Sequence, residues 1–162
     1  MEYILAPWRK NYVKNVSKMK GCIFCKALEM ENDRQAYILY RGKYNFILLN
    51  RYPYTSGHLM IAPHKHSSSL DQAEKESTYE FIDLLKLCLQ ILKQKFDPQG
   101  FNTGMNIGQS AGAGIPDHYH IHVIPRWTGD SNFLPLVSQT KVIMQDLNQT
   151  YDQLYPLFQK SV

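Results

Sequence analysis

The apolar positions along the chain follow two different periods. Short runs rich in aromatic and branched residues occupy 36–40 (AYILY) and 44–49 (YNFILL), separated by Arg41-Gly42-Lys43. They predict a β-hairpin with a glycine-containing turn. Pro53 and Gly57 bracket a loop, and 58–62 (HLMIA) predicts a further short strand stopped by Pro63. Phe81, Leu84, Leu85, Cys88, Ile91 and Leu92 then recur at spacings of three and four. That stripe predicts one long helix over 74–96, approached through 67–71 (SSSLD), whose Ser and Asp side chains can cap free N–H groups, and ended by Asp97-Pro98-Gln99-Gly100. Cys88 lies in the stripe and reads as a small core residue.

The second half continues in short elements. Residues 101–107 (FNTGMNI) predict a strand, 108–116 (GQSAGAGIP) a loop of small residues, and 118–125 (HYHIHVIP) a strand by strict alternation. Residues 141–158 predict a C-terminal helix with apolar Val142, Met144, Leu147, Tyr151 and Leu154. Hairpin-joined strands with one long helix predict an α+β domain built on a mainly antiparallel sheet of about five strands.

Composition narrows this reading. A chain of 162 residues with 44% hydrophobic and 20% charged residues suits one ordered domain. Residues 1–20, carrying Pro7-Trp8-Arg9 and Tyr12, read as an arm that docks on the body or on a second subunit. The start, MEYILAPWRK, lacks the pattern of a secretory signal, and the apolar runs are far too short for a membrane span. A net charge of +4 mildly favours anionic ligands but is too weak to indicate nucleic acid. Three cysteines, an odd number, argue for a reducing, cytoplasmic setting and against a disulfide framework.

The histidines carry the chemistry. They form two tight groups, His58, His64 and His66, and His118, His120 and His122. On a strand, residues i, i+2 and i+4 share a face. His118, His120 and His122 therefore face one way and Tyr119, Ile121 and Val123 the other. Three imidazoles spaced about 7 Å apart on a regular element form a preorganised site, for nucleophilic chemistry or for a metal such as zinc. Upstream lie Gly104, Gly108, Gly112 and Gly114 with Asn106, Gln109 and Ser110, a loop whose amides can cradle phosphate. Cys22-Ile23-Phe24-Cys25 is compatible with a redox pair or half of a zinc site.

His118 to Ile124 resembles the signature of the histidine triad superfamily of nucleotide-binding hydrolases and transferases. The stretch Leu49-Asn50-Arg51-Tyr52-Pro53 through Gly57-His58-Leu59 to Pro63 is similar to a second motif of that family. The resemblance runs from about Gly21 to Pro135, which divides the chain into an arm (1–20), a histidine triad domain (21–135) and a C-terminal helical extension (136–162). Pro7-Trp8-Arg9 and Arg126-Trp127 with Gly129-Asp130 and Asn132-Phe133 further resemble the branch close to diadenosine tetraphosphate phosphorylases and hydrolases.

The resemblance implies that His120 is a nucleophile that takes up a nucleotidyl group and passes it to water or inorganic phosphate. His122 would contact the phosphate or the leaving group, and His118 completes the triad. Asn50 would contact ribose and His58 would line the nucleotide pocket. Asn106, Gly108, Gly112, Ala113, Gly114 and Ile115 would lie along the phosphates. Ile23, Phe24, Phe46 and Leu48 would flank the base or fill the core. The family further implies structural zinc on Cys22, Cys25, His66 and His118, with His64 as the less favoured substitute for His66, and a two-fold homodimer. One departure is Gly114-Ile115-Pro116-Asp117, which makes the loop before the triad one residue longer than is common in the family.

Overall fold

The computed structural model describes residues 21–130 and 146–161. The arm and residues 141–145 of the expected C-terminal helix thus lie outside the described residues. Five strands, β1 (Ile38–Arg41), β2 (Asn45–Leu49), β3 (Leu59–Pro63), β4 (Gly100–Gly104) and β5 (Ile121–Arg126), form one sheet in the order β1-β2-β3-β5-β4. All neighbouring strands are antiparallel. The helices are α1 (Ile23–Glu29), α2 (Asp33–Ala36), α3 (Lys75–Phe96) and α4 (Leu147–Lys160). The α+β class and the antiparallel sheet match the sequence reading.

Both faces of the central strands are covered. On one face Ile47, Leu49, Leu59, Ile61 and Val123 meet Phe81, Leu84, Cys88 and Leu92 of α3 and Tyr151, Leu154 and Phe158 of α4. On the other, Phe24 and Ala27 of α1 and Ala36 of α2 pack on Ile38, Phe46, Leu48, Met60 and Ala62. Every residue of β2 and β3 is therefore buried, and neither strand shows a polar alternation. Each large side chain removed from water in this way contributes roughly 1.5–3 kcal/mol.

Several boundaries differ from the sequence reading, four of them with a visible physical reason. β5 begins at Ile121, not at residue 118, because the ladder to β3 starts at Ile121 and the Tyr119 amide bonds instead to the Ser67 carbonyl at 2.8 Å. The alternation survives the change. Tyr119, Ile121 and Val123 are all in the α3-side core. β4 ends at Gly104, paired to His122, and residues 105–107 leave the sheet for the glycine loop. The 67–71 segment caps nothing at the start of α3. A 3₁₀ turn at Leu70–Gln72 intervenes, and Glu74 precedes the helix without a side-chain cap. α1 and α2 were not foreseen, and the first strand starts at Ile38 because α2 occupies residues up to Ala36.

Two contacts fix the parts of the fold nearest the site. Glu80 of α3 accepts from the backbone amides of Lys43, Tyr44 and Asn45 at 2.7, 2.8 and 2.8 Å and from Asn45 Nδ2 at 2.8 Å, which locks the β1–β2 turn onto the helix. Gly57, just before His58, has φ +76°, and a Cβ there would lie 3.1 Å from the Phe96 ring and 3.3 Å from Leu92. Only glycine meets both conditions at this turn into β3.

Candidate active site

The site is built on the α1-side face of β3 and β5. His122 is paired with Met60 on β3 and with Gly104 on β4. It therefore has a buried side chain on one flank and no side chain on the other. A Cβ on Gly104 would meet nothing within 4 Å. His120 lies one step back along the chain on the same face, its ring perpendicular to that of His122 with centroids 4.9 Å apart. Phe24, fully buried, sets its ring against both His118 and His120, at 5.1 and 4.8 Å between centroids.

The three imidazoles face different partners. His118 Nε2 lies 2.9 Å from the Pro63 carbonyl, which can only accept, so that nitrogen donates. Its Nδ1 faces Cys22 Sγ at 3.3 Å, Cys25 Sγ at 3.8 Å and His66 Nδ1 at 3.2 Å. His120 Nδ1 lies 3.0 Å from the His118 carbonyl and donates to it, leaving Nε2 with the lone pair. His122 Nδ1 lies 3.0 Å from His58 Nε2. Burial holds all three below the ordinary imidazole range, His118 and His122 both to about 4.

Cys22, Cys25, His66 and His118 offer four donor atoms within 4.8 Å of one another. Tetrahedral zinc, with bonds of about 2.0–2.3 Å, needs donors about 3.3–3.8 Å apart. The Cys22–His118, Cys25–His66, Cys25–His118 and His66–His118 separations of 3.3, 3.3, 3.8 and 3.2 Å lie close to that requirement. The donor set, two thiols and two imidazoles, suits zinc. All three thiols are free, and the burial of Cys88 pushes its thiol far above the usual range. His64 turns away from the cluster. Its Nε2 meets the Gly42 carbonyl at 3.0 Å and its ring lies against Phe46. Among the described residues no metal-capable cluster includes His120 or His122, so the geometry gives no support to a metal held by the triad itself.

The remaining expected residues make the following contacts. His58 is buried, and Asn50 Oδ1 accepts from the Tyr52 amide at 2.8 Å while its Nδ2 lies 3.5 Å from the His58 ring nitrogens. In the glycine loop Gly112 N bonds to the Gln109 carbonyl at 3.0 Å and Ala113 N to the Gly108 carbonyl at 3.4 Å. Asn106 Nδ2 ties the loop across to the Gly112 carbonyl at 3.4 Å. Among the described residues the amides of Gly114 and Ile115 make no hydrogen bond, and Ile115 packs against the α1-side core. Phe24, Phe46 and Leu48 are buried, and Ile23 is half-buried beside them. The sequence reading did not single out Tyr54, whose half-exposed ring stacks on His58 at 4.9 Å and lies 6.1 Å from His122. Its place four residues before His58, in a Pro-Gly-bracketed loop, was the only signal available.

Comparison with known proteins assigns the class. The model of the HIT domain family matches residues 31–129, and the chain belongs to that family of nucleotide-processing proteins. More particularly, it is 33% identical over 158 residues to an AP-4-A phosphorylase of Mycobacterium tuberculosis, covering 93% of this chain and 80% of that protein. A hypothetical histidine triad nucleotide-binding protein of Sulfolobus tokodaii superposes with a TM-score of 0.65 at 26% identity, covering 86% of this chain and 91% of that one. A zinc-bound histidine triad family protein of Mycobacterium smegmatis shares the fold, with a TM-score of 0.62 at 19% identity and coverage of 93% and 94%. No helix among the described residues is long and apolar enough to cross a membrane.

Proposed function

We propose that this protein cleaves dinucleoside polyphosphates of the diadenosine tetraphosphate type by nucleotidyl transfer through His120. The observation that carries the reading is the 3.0 Å contact between His120 Nδ1 and the His118 carbonyl. It commits the ring's hydrogen to Nδ1 and leaves Nε2 as the nucleophilic atom. In the first step Nε2 bonds to the α-phosphorus, the bond from phosphorus to the bridging oxygen breaks, and the electron pair leaves with ATP. In the second step an oxygen of the acceptor bonds to the same phosphorus and the P–N bond breaks, freeing His120. The 33% identical AP-4-A phosphorylase favours inorganic phosphate as acceptor, giving ADP, over water, which gives AMP.

His122 stands beside His120 for contact with the phosphate and leaving oxygens. The loop from Gly108 through Gly112 and Ala113, held by Asn106, turns the amides of Gly114 and Ile115 towards a phosphate. Asn50 and His58 complete the nucleotide pocket. Zinc on Cys22, Cys25, His66 and His118 would be structural. It would tie α1 and the turn after β3 to the residue whose carbonyl holds His120. Free thiols at this centre suit a cytoplasmic setting, and a homodimer is the expected assembly.

Product analysis with diadenosine tetraphosphate tests the reading. ADP plus ATP, formed only with added phosphate, supports phosphorolysis. AMP plus ATP in plain buffer supports hydrolysis by the same intermediate. In His120→Asn turnover should fall by about a thousandfold or more while nucleotide binding persists. Turnover at the parental rate in that variant removes His120 as the nucleophile.

A further inference from the structure

His58 is 1% exposed, so its hydrogen bonds are made within the protein. The backbone N–H of Tyr54 reaches its Nδ1 at 3.1 Å. An amide nitrogen can only donate, so Nδ1 is the accepting nitrogen. A neutral imidazole accepting at Nδ1 carries its hydrogen on Nε2. That Nε2 lies 3.0 Å from His122 Nδ1, which must then accept in turn. A neutral His122 accepting at Nδ1 keeps its own hydrogen on Nε2. The opposite assignment would point the His58 Nδ1 hydrogen at the Tyr54 N–H, donor against donor. The Asn50 amide lies 3.5 Å from both ring nitrogens of His58 and favours neither. The Tyr54 ring stacks on the His58 ring with centroids 4.9 Å apart.

We propose that His58 is a positioning residue: with the Tyr54 amide it fixes His122 as the Nε2–H tautomer, so that His122 offers a hydrogen-bond donor to the leaving oxygen of the substrate. The neighbouring imidazoles then do opposite things. His120, donating at Nδ1 to the His118 carbonyl, offers a lone pair at Nε2. His122, accepting at Nδ1 from His58, offers an N–H at Nε2. A nucleophile and a donor for the departing oxygen are thus set by two backbone groups, the His118 carbonyl and the Tyr54 amide. Only a hydrogen bond is required of His122. As the phosphorus–oxygen bond breaks, the electron pair stays on the polyphosphate oxygen, which is stable as an anion, and no proton moves. This inference rests on the nucleotidyl-transfer reading for the identity of the leaving oxygen, but the tautomer itself does not depend on it.

The experiment therefore has one arm without substrate. Imidazole ¹⁵N–¹H correlation spectra of the metal-loaded parent should show His122 protonated at Nε2 and bare at Nδ1, with His58 likewise. His122 found as the Nδ1–H form overturns the proposal, whatever the protein cleaves. The second arm compares His58→Leu, which removes the donor, with His58→Gln, whose side-chain amide can restore an N–H towards His122. His58→Leu should lower kcat by about tenfold to a hundredfold and shift the His122 nitrogen signals towards a mixture of tautomers. His58→Gln should recover most of both. If His58→Gln folds and keeps the parental His122 signals yet is as slow as His58→Leu, tautomer control is not what His58 supplies. If the parent cleaves no dinucleoside polyphosphate, the proposed function falls and the spectroscopic result still decides the tautomer.

Discussion

Phe24 links the cysteine pair to His120, the nucleophile proposed above, and truncating it separates folding from positioning. The side chain is 0% exposed, lies edge-on to Phe46 at 6.4 Å and covers the rings of His118 and His120 at 5.1 and 4.8 Å. Phe24→Ala removes a fully buried ring from a cluster of eight buried residues that only α1, α2 and three strands supply. Burial of this kind costs about 3–5 kcal/mol when lost, including the cavity left behind, and aromatic pairing accounts for about 0.5–1.5 kcal/mol per pair within it. Against a total stability of about 5–15 kcal/mol, the alanine variant should be marginal and is best read by urea unfolding of the zinc-loaded protein. Phe24→Leu keeps most of the volume and loses the flat surface on which the two imidazoles rest. It should lose about 1–1.5 kcal/mol of stability and bind added zinc as the parent does, yet turn over more slowly because His120 is less firmly oriented. A loss below about 1 kcal/mol in Phe24→Ala would show that the ring does not occupy this core and does not tie α1 to His120.

Other consequences are simpler. Glu80→Gln turns one carboxylate oxygen into a donor facing backbone N–H groups at 2.7–2.8 Å and should cost about 2–4 kcal/mol in chemical unfolding; a neutral result would mean that the turn amides are satisfied otherwise. Gly57→Ala meets a left-handed backbone and the Phe96 ring together, so a thermal midpoint equal to the parent's would contradict the turn described. Chelator treatment of the zinc-loaded protein should expose the Cys22 and Cys25 thiols to a thiol reagent and slow turnover, with recovery on adding zinc; an unchanged thiol count in treated and untreated protein would remove the cluster as a metal site. His122, faced by His58 and His120, is held by burial at about 4, whereas an unfolded imidazole titrates near 6.5. The unfolded chain thus binds the extra proton first, and stability should fall as pH drops from 6.5 towards 4, by about 1.4 kcal/mol per pH unit for one proton. His118 and His120 act in the same direction, so His122→Asn should reduce the overall slope by about one proton's share, and parallel pH profiles for variant and parent would refute the assignment.

The long helix, the hairpin and β3 were legible because each carries a period longer than the ambiguity of its ends. α1 was not. Seven residues give two turns, its first residue follows an uncapped Cys22, and its buried positions are only Phe24 and Ala27. A CxxC pair read as chemistry hid a helix whose core residue stands between the two cysteines. The end of β4 was misread for the opposite reason. Met105, Asn106 and Ile107 continue a strand-like composition, but the chain leaves the ladder once it has passed His122. No local property of those three residues marks the departure, since what ends the strand is the glycine loop that follows.

Strict alternation correctly put His118, His120 and His122 on one face, and it could say nothing about what each would do there. That division comes from the partner nearest each ring, and every partner is remote or belongs to the backbone. His118 is turned by the Pro63 carbonyl so that Nδ1 meets thiols 93 and 96 residues away. His120 is set by the carbonyl of His118 itself, which becomes available because residues 118–120 precede the ladder. His122, the only one of the three inside β5, is set by a ring from the turn before β3. A regular strand running from 118 would have spent the His118 carbonyl on a neighbouring strand or pointed it along the sheet. The late start of β5 is therefore the structural condition for the 3.0 Å contact that commits the hydrogen of His120 to Nδ1.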